Sequence, residues 1–279
     1  MTDEACREFR DLMVERVRAV ERPYELAFSG GVDSATMLFA SLEAGYAPRL
    51  LTFRMEGVES GDARAARSIA GHFGLEQEEV VIPSDAASLE RDARRVLPYA
   101  AVMKKVIVQC LIPWLYLYPA MRTGTILSGV TADDYYCNQR KVQVELHKHG
   151  EAAIMQYRRS YASDLSFSTA NILRFAGEYG KRNVDVYDHE SVERFFLRFP
   201  ARALNRPYAK HISIRAFADY YRQGAWRRER ASYQVNSGLR DLHDALLRDP
   251  ARNPRGHKAV VALYREWRGT EGEGHAGRS

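Results

Sequence analysis

The stretch ELAFSGGVDSA, residues 25–35, joins a short apolar run to the start of a helical pattern through a Ser-Gly-Gly turn. A glycine pair between a strand and a helix allows an anion to approach backbone N–H groups and the N-terminus of the helix. The predicted anion donors are the N–H groups and hydroxyls of Ser29, Gly30, Gly31 and Ser34. Asp33 adds a carboxylate, which is expected there if it binds Mg²⁺ that bridges to phosphates. The stretch therefore predicts a phosphate-binding loop.

Two common phosphate-binding motifs do not fit this stretch. It has no lysine and does not match G-x-x-x-x-G-K-S, and it does not match G-x-G-x-x-G either. A plain glycine turn followed by a helix cap stays open as the alternative that needs no ligand.

Strand and helix patterns alternate along the first half of the chain. Buried-strand runs fall at residues 24–28, 49–55, 77–83 and 124–129. The strongly apolar residues 102–122 are predicted as a helix that breaks around Pro113. This alternation predicts an α/β fold, a doubly wound parallel sheet with helices on both faces. Ligands of such sheets bind beyond the carboxyl ends of the strands, which is where the glycine loop is expected to lie.

The second half of the chain is predicted to be mostly helical, because no strand pattern is found beyond about residue 131. A glycine-rich polar tail is predicted to be disordered. We expect an N-terminal helix at 1–22, an α/β core with the glycine loop at 23–140, a helical part of the same domain at 141–268 and the tail at 269–279.

Composition restricts the class of protein. The 279 residues carry a formal net charge of +5. The sequence contains no run of about 18 apolar residues, so no membrane-spanning helix is predicted. The charged N-terminal segment lacks the basic start and apolar centre of a secretion signal, so we expect a cytoplasmic protein. The spacing of Cys6, Cys110 and Cys137 is not typical of a disulfide framework or a zinc site.

Residues 29–34 resemble the PP-loop of the N-type ATP pyrophosphatases, which cleave ATP between its α and β phosphates. Residues 104–136 are similar to the second motif of asparagine synthetases, in which an apolar helix leads through a strand to Ser-Gly-x-x-x-Asp-Glu. Later segments that resemble the same family, in the same order, are 184–200, 208–217 and 228–233. The chain is identified as a relative of the asparagine synthetase synthase domain over about residues 20–245. The resemblance implies a HUP-like fold, that of the adenine nucleotide alpha hydrolases.

The resemblance also implies a site for ATP and Mg²⁺. The positions that it assigns to the nucleotide are Phe28, Ser29, Gly30, Gly31, Asp33, Ser34, Thr52, Phe53, Ser128 and Gly129. It assigns the metal to the carboxylates of Asp33 and Asp133, oxygen ligands of the kind that Mg²⁺ prefers. The alternative for Asp133 is an acidic residue at a helix N-terminus.

The glutaminase domain of the glutamine-dependent relatives is not found in this sequence. Thr2 follows the initiator methionine, where those relatives have a nucleophilic cysteine. We therefore expect the nitrogen to come from free ammonia, from an amine substrate or from a partner subunit.

Several side chains depart from the family pattern. Val130 stands where relatives have a glutamate or tyrosine, and Lys181 stands where they have a glutamate. We interpret Lys181 as a candidate clamp for an acidic substrate. The lysine that neutralises the adenylation transition state is matched by Arg230, with Arg228 as its rival, and arginine can supply that charge. Lys210 matches a second family lysine, and the alternative for it is a charge on a helix surface.

The sequence predicts an enzyme that adenylates a substrate carboxylate, releases pyrophosphate and transfers the acyl group to ammonia or an amine. The expected partners are a small-molecule carboxylate, a nitrogen donor, and a separate glutaminase or carrier protein, with nucleic acid the less favoured partner. One alternative is a PP-loop enzyme that modifies a nucleotide or tRNA by adenylating a base carbonyl, although paired catalytic cysteines for thiolation are not evident. Another is a nucleotide-binding module without catalytic activity.

Overall fold

The described strands form one parallel sheet. The computed structural model describes residues 1–100, 103–137, 140–163, 167–224, 233–256 and 259–272. The strands are β1 (Glu25–Ala27), β2 (Arg49–Met55), β3 (Gln77–Ile82), β4 (Thr125–Ser128) and β5 (Arg182–Asp185). Their order is β3-β2-β1-β4-β5, and every neighbouring pair is parallel. The predicted α/β parallel sheet is therefore confirmed.

The first half of the chain alternates strands with helices, as predicted. Its helices are α1 (Asp3–Arg18), α2 (Val32–Glu43), α3 (Gly61–Phe73), α4 (Ala86–Val96), α5 (Lys105–Leu111), α6 (Trp114–Ala120) and α7 (Ala132–Tyr136). A short 3₁₀ turn, Leu97–Tyr99, follows α4. The predicted break at Pro113 is confirmed, because that residue lies between α5 and α6 as the N-cap of α6.

The second half is mainly helical. Its helices are α8 (Arg140–Ser163), α9 (Phe167–Glu178), α10 (Glu190–Leu197), α11 (Ala201–Leu204), α12 (His211–Ala216), α13 (Ala218–Gly224), α14 (Tyr233–Asn236), α15 (Leu239–Arg248) and α16 (Val260–Gly272). Since α16 extends to Gly272, the boundary predicted for the disordered tail, residue 269, falls inside a helix. Residues 273–279 lie outside the described part of the chain. Within that part, no helix has the length and apolar content needed to cross a lipid bilayer.

Hydrophobic cores lie on both faces of the sheet. Neighbouring residues of a strand point to opposite faces, and Leu50 and Leu51 of β2 accordingly belong to different cores, as do Ile126 and Leu127 of β4. One core receives side chains from α1, α2, α3, α7, α10, α11, α12 and α13. The other receives them from α4, α5, α6, α9, α15 and α16. Helices therefore cover both faces, which is the doubly wound arrangement.

The prediction that strands end near residue 131 is wrong, because β5 adds a fifth strand from the second half of the chain. Its residues are mostly polar, and the sheet satisfies them individually: Asn183 accepts a hydrogen bond from the Ser128 hydroxyl at 2.6 Å, and Arg182 reaches the Thr125 hydroxyl at 3.3 Å. A four-residue strand without an apolar run gives no periodic signal. The predicted core at 23–140 therefore shares its sheet with the helical part.

His243, on α15, gives the stability of the fold a dependence on pH. Its side chain is fully buried and stacks on Tyr264, and burial lowers the pKa of the imidazole to about 4. The unfolded chain, with a histidine pKa near 6.5, binds a proton that the folded chain rejects as the pH falls below that value. We expect His243 to reduce the free energy of unfolding by about 2.5 kcal/mol at pH 4.5 relative to pH 7.5.

Urea denaturation of the wild type and of His243→Phe at those two pH values isolates this effect, since all other titrating groups are shared. The stability difference between the two proteins should shift in favour of the variant at pH 4.5. An equal difference at both pH values would contradict the assignment.

Candidate active site

The loop after β1 is closed by its own hydroxyls. The Gly31 N–H donates to Ser29 Oγ at 3.2 Å, and Ser34 Oγ donates to the Gly31 carbonyl at 3.1 Å. Gly31 is the N-cap of α2, and no side chain caps the first-turn N–H groups of that helix. These groups have no partner within the helix either. The loop therefore combines backbone donors with a helix N-terminus, an arrangement that suits an anion, and the binding of an anion there stays a prediction.

The two glycines have different reasons to be glycine. Gly30 has φ 68°, and a Cβ there would lie 2.8 Å from Ala65 Cβ and 2.9 Å from the Ala66 nitrogen of α3. At Gly31 a Cβ would meet only Ser29 Oγ, at 3.1 Å. The missing side chain of Gly30 therefore also makes room for α3, and the role of its N–H in binding an anion stays a prediction.

The end of β2 lies beside the start of the loop. Thr52 Oγ1 donates to the Phe28 carbonyl at 2.7 Å and accepts from Gln77 Nε2 at 3.0 Å. Because β1 ends opposite Leu51, Thr52 and Phe53 extend past it toward the loop. The Phe28 ring is buried in the core. Only the backbone of Phe28 can therefore border a nucleotide.

The second motif packs directly against the first. A Cβ at Gly129 would lie 3.4 Å from Asp33 Cβ and 3.1 Å from Met37 Cε, so a glycine allows the two loops to approach each other. Ser128 is buried and donates through Oγ to Asn183 at 2.6 Å. Its hydroxyl is therefore taken up by a bond to β5, and the role of the Ser128 and Gly129 backbone at the nucleotide stays a prediction.

Lys210 joins the two carboxylates that the sequence assigns to Mg²⁺. Its Nζ forms an ion pair with Asp33 Oδ2 and lies 2.7 Å from Asp133 Oδ1. The Lys210 side chain is only 12% exposed, so the alternative of a surface charge is wrong. Its backbone has φ 55°, uncommon for a residue other than glycine, and its N–H donates to Asn205 Oδ1 at 3.1 Å. The structure therefore brings Asp33, Asp133 and Lys210 together beyond the carboxyl ends of β1 and β4.

Burial and charge shift the titration of this cluster. Burial raises the pKa of Asp33. The nearby Lys210 ammonium partly lowers this pKa, and the Asp133 carboxylate raises it further. Burial disfavours the Lys210 ammonium, but the two carboxylates outweigh this and raise its pKa. Asp33 Oδ1 is buried and has no hydrogen-bond partner among the described residues. An unpartnered carboxylate oxygen in this place is a site where a further cation or donor would be stabilised.

The donor set fits a hard cation held jointly with a ligand. The described residues contain no group of three or more histidine, cysteine, aspartate or glutamate side chains that could hold a metal by themselves. Two carboxylates, one with a buried unpartnered oxygen, suit Mg²⁺, which usually takes one or two carboxylates and completes its coordination with phosphates and water. Asp33 and Asp133 would hold such an ion.

Lys181 does not lie at this site. It precedes β5, and its Nζ donates to the carbonyls of Thr123 at 2.8 Å and Met121 at 3.3 Å. Because Asp185 is the strand residue opposite Ser128, four residues of extended chain, roughly 13 Å, separate Lys181 from the carboxyl edge. The interpretation of Lys181 as a substrate clamp is therefore corrected: its ammonium binds backbone carbonyls at the amino edge of the sheet.

The family lysine position stays a prediction. Arg230 and its rival Arg228 lie outside the described residues. Val130 lies at the second motif, partly buried against the core. It has no group that can transfer a proton.

Sequence reasoning missed Asp185 at the carboxyl end of β5. Its carboxylate accepts hydrogen bonds from the Thr131 N–H at 2.7 Å and the Tyr187 N–H at 3.0 Å, and burial raises its pKa to about 7. The signal in the sequence was an acidic residue between Val184 and Val186, which is informative only once the strand is recognised.

Comparison with known proteins places this site in a family. The family model for asparagine synthase matches residues 8–259. Two proteins named 7-cyano-7-deazaguanine synthase, from Synechococcus elongatus and from a Synechococcus sp. strain, are each 31% identical over 119 residues, which is 38% of this chain and 52% of theirs. The chain thus spans about half the length of these curated relatives. Since the family match covers most of the chain, including both loops and Lys210, this protein belongs to the asparagine synthase family.

Proposed function

We propose that the protein is a Mg²⁺-dependent ligase that adenylates a substrate carboxylate and transfers the acyl group to ammonia or an amine. The observation that carries the proposal is the convergence of Lys210, Asp33 and Asp133 beside the Gly31 loop. The buried Lys210 ammonium, together with a cation held by Asp33 and Asp133, would balance the charge of a leaving pyrophosphate. With these three side chains assigned to the cation and the phosphates, the nucleophile is proposed to come from the substrate.

The reaction balances as two displacements. A carboxylate oxygen attacks the α phosphorus of ATP, and the bond to the β phosphate breaks with its electron pair leaving on pyrophosphate. A nitrogen nucleophile then attacks the acyl carbon, loses a proton and expels AMP. When bound at Asp33 and Asp133, Mg²⁺ would neutralise negative charge on the phosphates.

The chain's own residues supply binding and electrostatic stabilisation. The loop N–H groups around Gly31 bind the departing phosphates. The Lys210 ammonium, held in place by two carboxylates, provides a fixed positive charge where negative charge develops. Arg230, or Arg228, is proposed to do the same for the α phosphate. Because Val130 cannot move a proton, we propose that the nitrogen nucleophile arrives neutral.

We also propose that partner proteins supply the substrates. A separate glutaminase or a carrier protein would deliver ammonia or the carboxylate. These partners, and the cytoplasmic location expected from the charged N-terminal segment, stay predictions.

A second candidate function is modification of a nucleobase. It is favoured by the 31% identity to proteins named for making 7-cyano-7-deazaguanine, a modified base. The loop would then activate a group on the base with the same AMP-forming chemistry. Thiolation in particular would need a reactive cysteine, whereas Cys137, the cysteine nearest a motif, is fully buried.

Product analysis with α-³²P-labelled ATP tests the proposal. We expect labelled AMP, with equimolar pyrophosphate, only when Mg²⁺ and a pool of small carboxylates are both present. Asp33→Asn should reduce AMP formation by about a hundredfold or more, since it removes a carboxylate that would hold Mg²⁺ at the phosphates. The exposed Asp11→Asn on α1 is the matched control and should behave as wild type.

The other outcomes are equally informative. Formation of AMP with a pool of nucleobases and not with carboxylates would replace the proposal by the second candidate. ADP with inorganic phosphate would contradict both, and measurable ATP binding without any product would identify a non-catalytic module.

A further inference from the structure

We propose that Asp185 is a positioning residue that fixes the Ser128–Thr131 turn and thereby holds Asp133 at the nucleotide site. The inference rests on the proposed function, since it assigns a role within the ATP site. Among the described residues Asp185 forms no hydrogen bond or ion pair with Lys210 or Asp33, so it acts through the turn.

The Asp185 carboxylate is built into the end of the sheet. It is 7% exposed, and each of its oxygens accepts one backbone N–H, Oδ2 from Thr131 at 2.7 Å and Oδ1 from Tyr187 at 3.0 Å. A carboxylate offers an acceptor on both sides, whereas an amide of the same shape offers one acceptor and one donor. The two N–H groups therefore require a carboxylate at this position.

The hydrogen bond from the Thr131 N–H to Asp185 also affects the position of Asp133. Thr131 is the N-cap of α7, and Asp133 lies in the first turn of that helix. Since α7 has five residues, its own hydrogen bonds do little to fix its direction. Tyr136 holds the other end of α7 in the core, and the anchor at Thr131 fixes the end of the helix that carries Asp133.

Two further bonds tie the beginning of the same turn to β5. Ser128 Oγ donates to Asn183 Oδ1 at 2.6 Å, and the Val186 N–H donates to the Ser128 carbonyl at 3.3 Å. Both ends of the turn are thus held by β5, with Asp185 as the contact at the end that carries Asp133. Gly129, between these anchors, lies against Asp33. A shift of the turn would move both metal-site carboxylates apart.

Asp185→Asn keeps the size of the side chain and removes one acceptor, so it tests this role. We expect hydrogen exchange of the segment 128–136 in the ligand-free protein to become about tenfold faster, because one charge-assisted hydrogen bond is lost. The dissociation constant for α,β-methylene-ATP with Mg²⁺, measured by calorimetry, should rise by about tenfold for the same reason.

Asp92→Asn is the matched control. Asp92 is also a buried carboxylate, 4% exposed, but it accepts from the Tyr116 hydroxyl on the second core, away from the loops. This variant should lower the melting temperature while leaving both the exchange of 128–136 and the nucleotide affinity unchanged.

The outcomes separate the inference from the proposed function. Unchanged exchange in Asp185→Asn would overturn the positioning role. Faster exchange with unaltered nucleotide affinity would overturn its link to the site and leave a structural residue. Faster exchange in a protein whose wild type binds no nucleotide would support the positioning of the turn and contradict the proposed function.

Discussion

Gly30→Ala should abolish the reaction and destabilise the fold, because the added methyl group would collide with helix α3. The new Cβ would lie 2.8 Å from Ala65 Cβ and 2.9 Å from the Ala66 nitrogen, so helix α3 or the loop must move. The position also has φ 68°, a conformation that favours glycine. Overpacking and backbone strain together should reduce the free energy of unfolding by about 3 kcal/mol or more. We expect AMP formation to fall by at least about a hundredfold, because a 1 Å displacement of binding groups can have that effect.

Gly45→Ala is the control that separates strain from collision. Gly45 has φ 77°, yet a Cβ there would meet nothing within 4 Å. Its replacement should cost only the strain, about 1–2 kcal/mol, and leave AMP formation unchanged. Urea denaturation of both variants measures the difference. If Gly30→Ala is no less stable than Gly45→Ala, the packing of the loop on α3 is misassigned.

Lys210→Met should remove catalysis and also make the stability of the protein depend more strongly on pH. Without the ammonium, the carboxylates of Asp33 and Asp133 lose the cation that pairs with both. Breaking the largely buried Lys210–Asp33 pair by removing one partner should cost about 3 kcal/mol, whereas Asp133, whose side chain is 53% exposed, adds little. Asp33, whose pKa is already raised by burial, can avoid part of this cost at low pH by taking up a proton. The destabilisation relative to wild type should therefore be larger at pH 8 than at pH 5.

The same variant reports on the metal. A divalent cation can replace the missing ammonium between two carboxylates, so Mn²⁺ should raise the melting temperature of Lys210→Met more than that of wild type. Lys105→Met is the matched control: Lys105 pairs with Asp244 at 2.9 Å, far from the loops, and its loss should leave AMP formation and the Mn²⁺ response unchanged. An inactive Lys210→Met with wild-type stability at every pH would contradict the buried ion cluster.

Elements whose sequence signal is local could be predicted from the sequence alone. The strands β1 to β4 are apolar runs with turn residues at both ends, and the loop at 29–34 is a contiguous motif, so pattern alone located them. Through the resemblance it also named Asp33 and Asp133 as a carboxylate pair and Lys210 as a separate candidate, but it did not predict that the three lie together. The ion pairs between them are visible only once the loops meet at the edge of the sheet.

The sequence did not predict the elements and residues whose roles depend on tertiary contacts. Strand β5 is recognisable through bonds that its polar side chains make to β4 and the second motif, and not through hydrophobic periodicity. Missing this strand led to two consequences: Lys181 was assigned to the wrong edge of the sheet, and Asp185 was overlooked. Likewise, the packing of Gly30 on α3 depends on a helix that begins some thirty residues later.

The transfer of oxygen from the substrate to AMP tests the central claim most directly. Carboxylates labelled with ¹⁸O would be incubated with the protein, ATP, Mg²⁺ and ammonia, and the AMP analysed by mass spectrometry. If the carboxylate oxygen attacks the α phosphorus, as proposed, one ¹⁸O atom appears in each AMP formed and none in pyrophosphate. Unlabelled AMP, or label in a phosphate other than that of AMP, would contradict the formation of an acyl-adenylate.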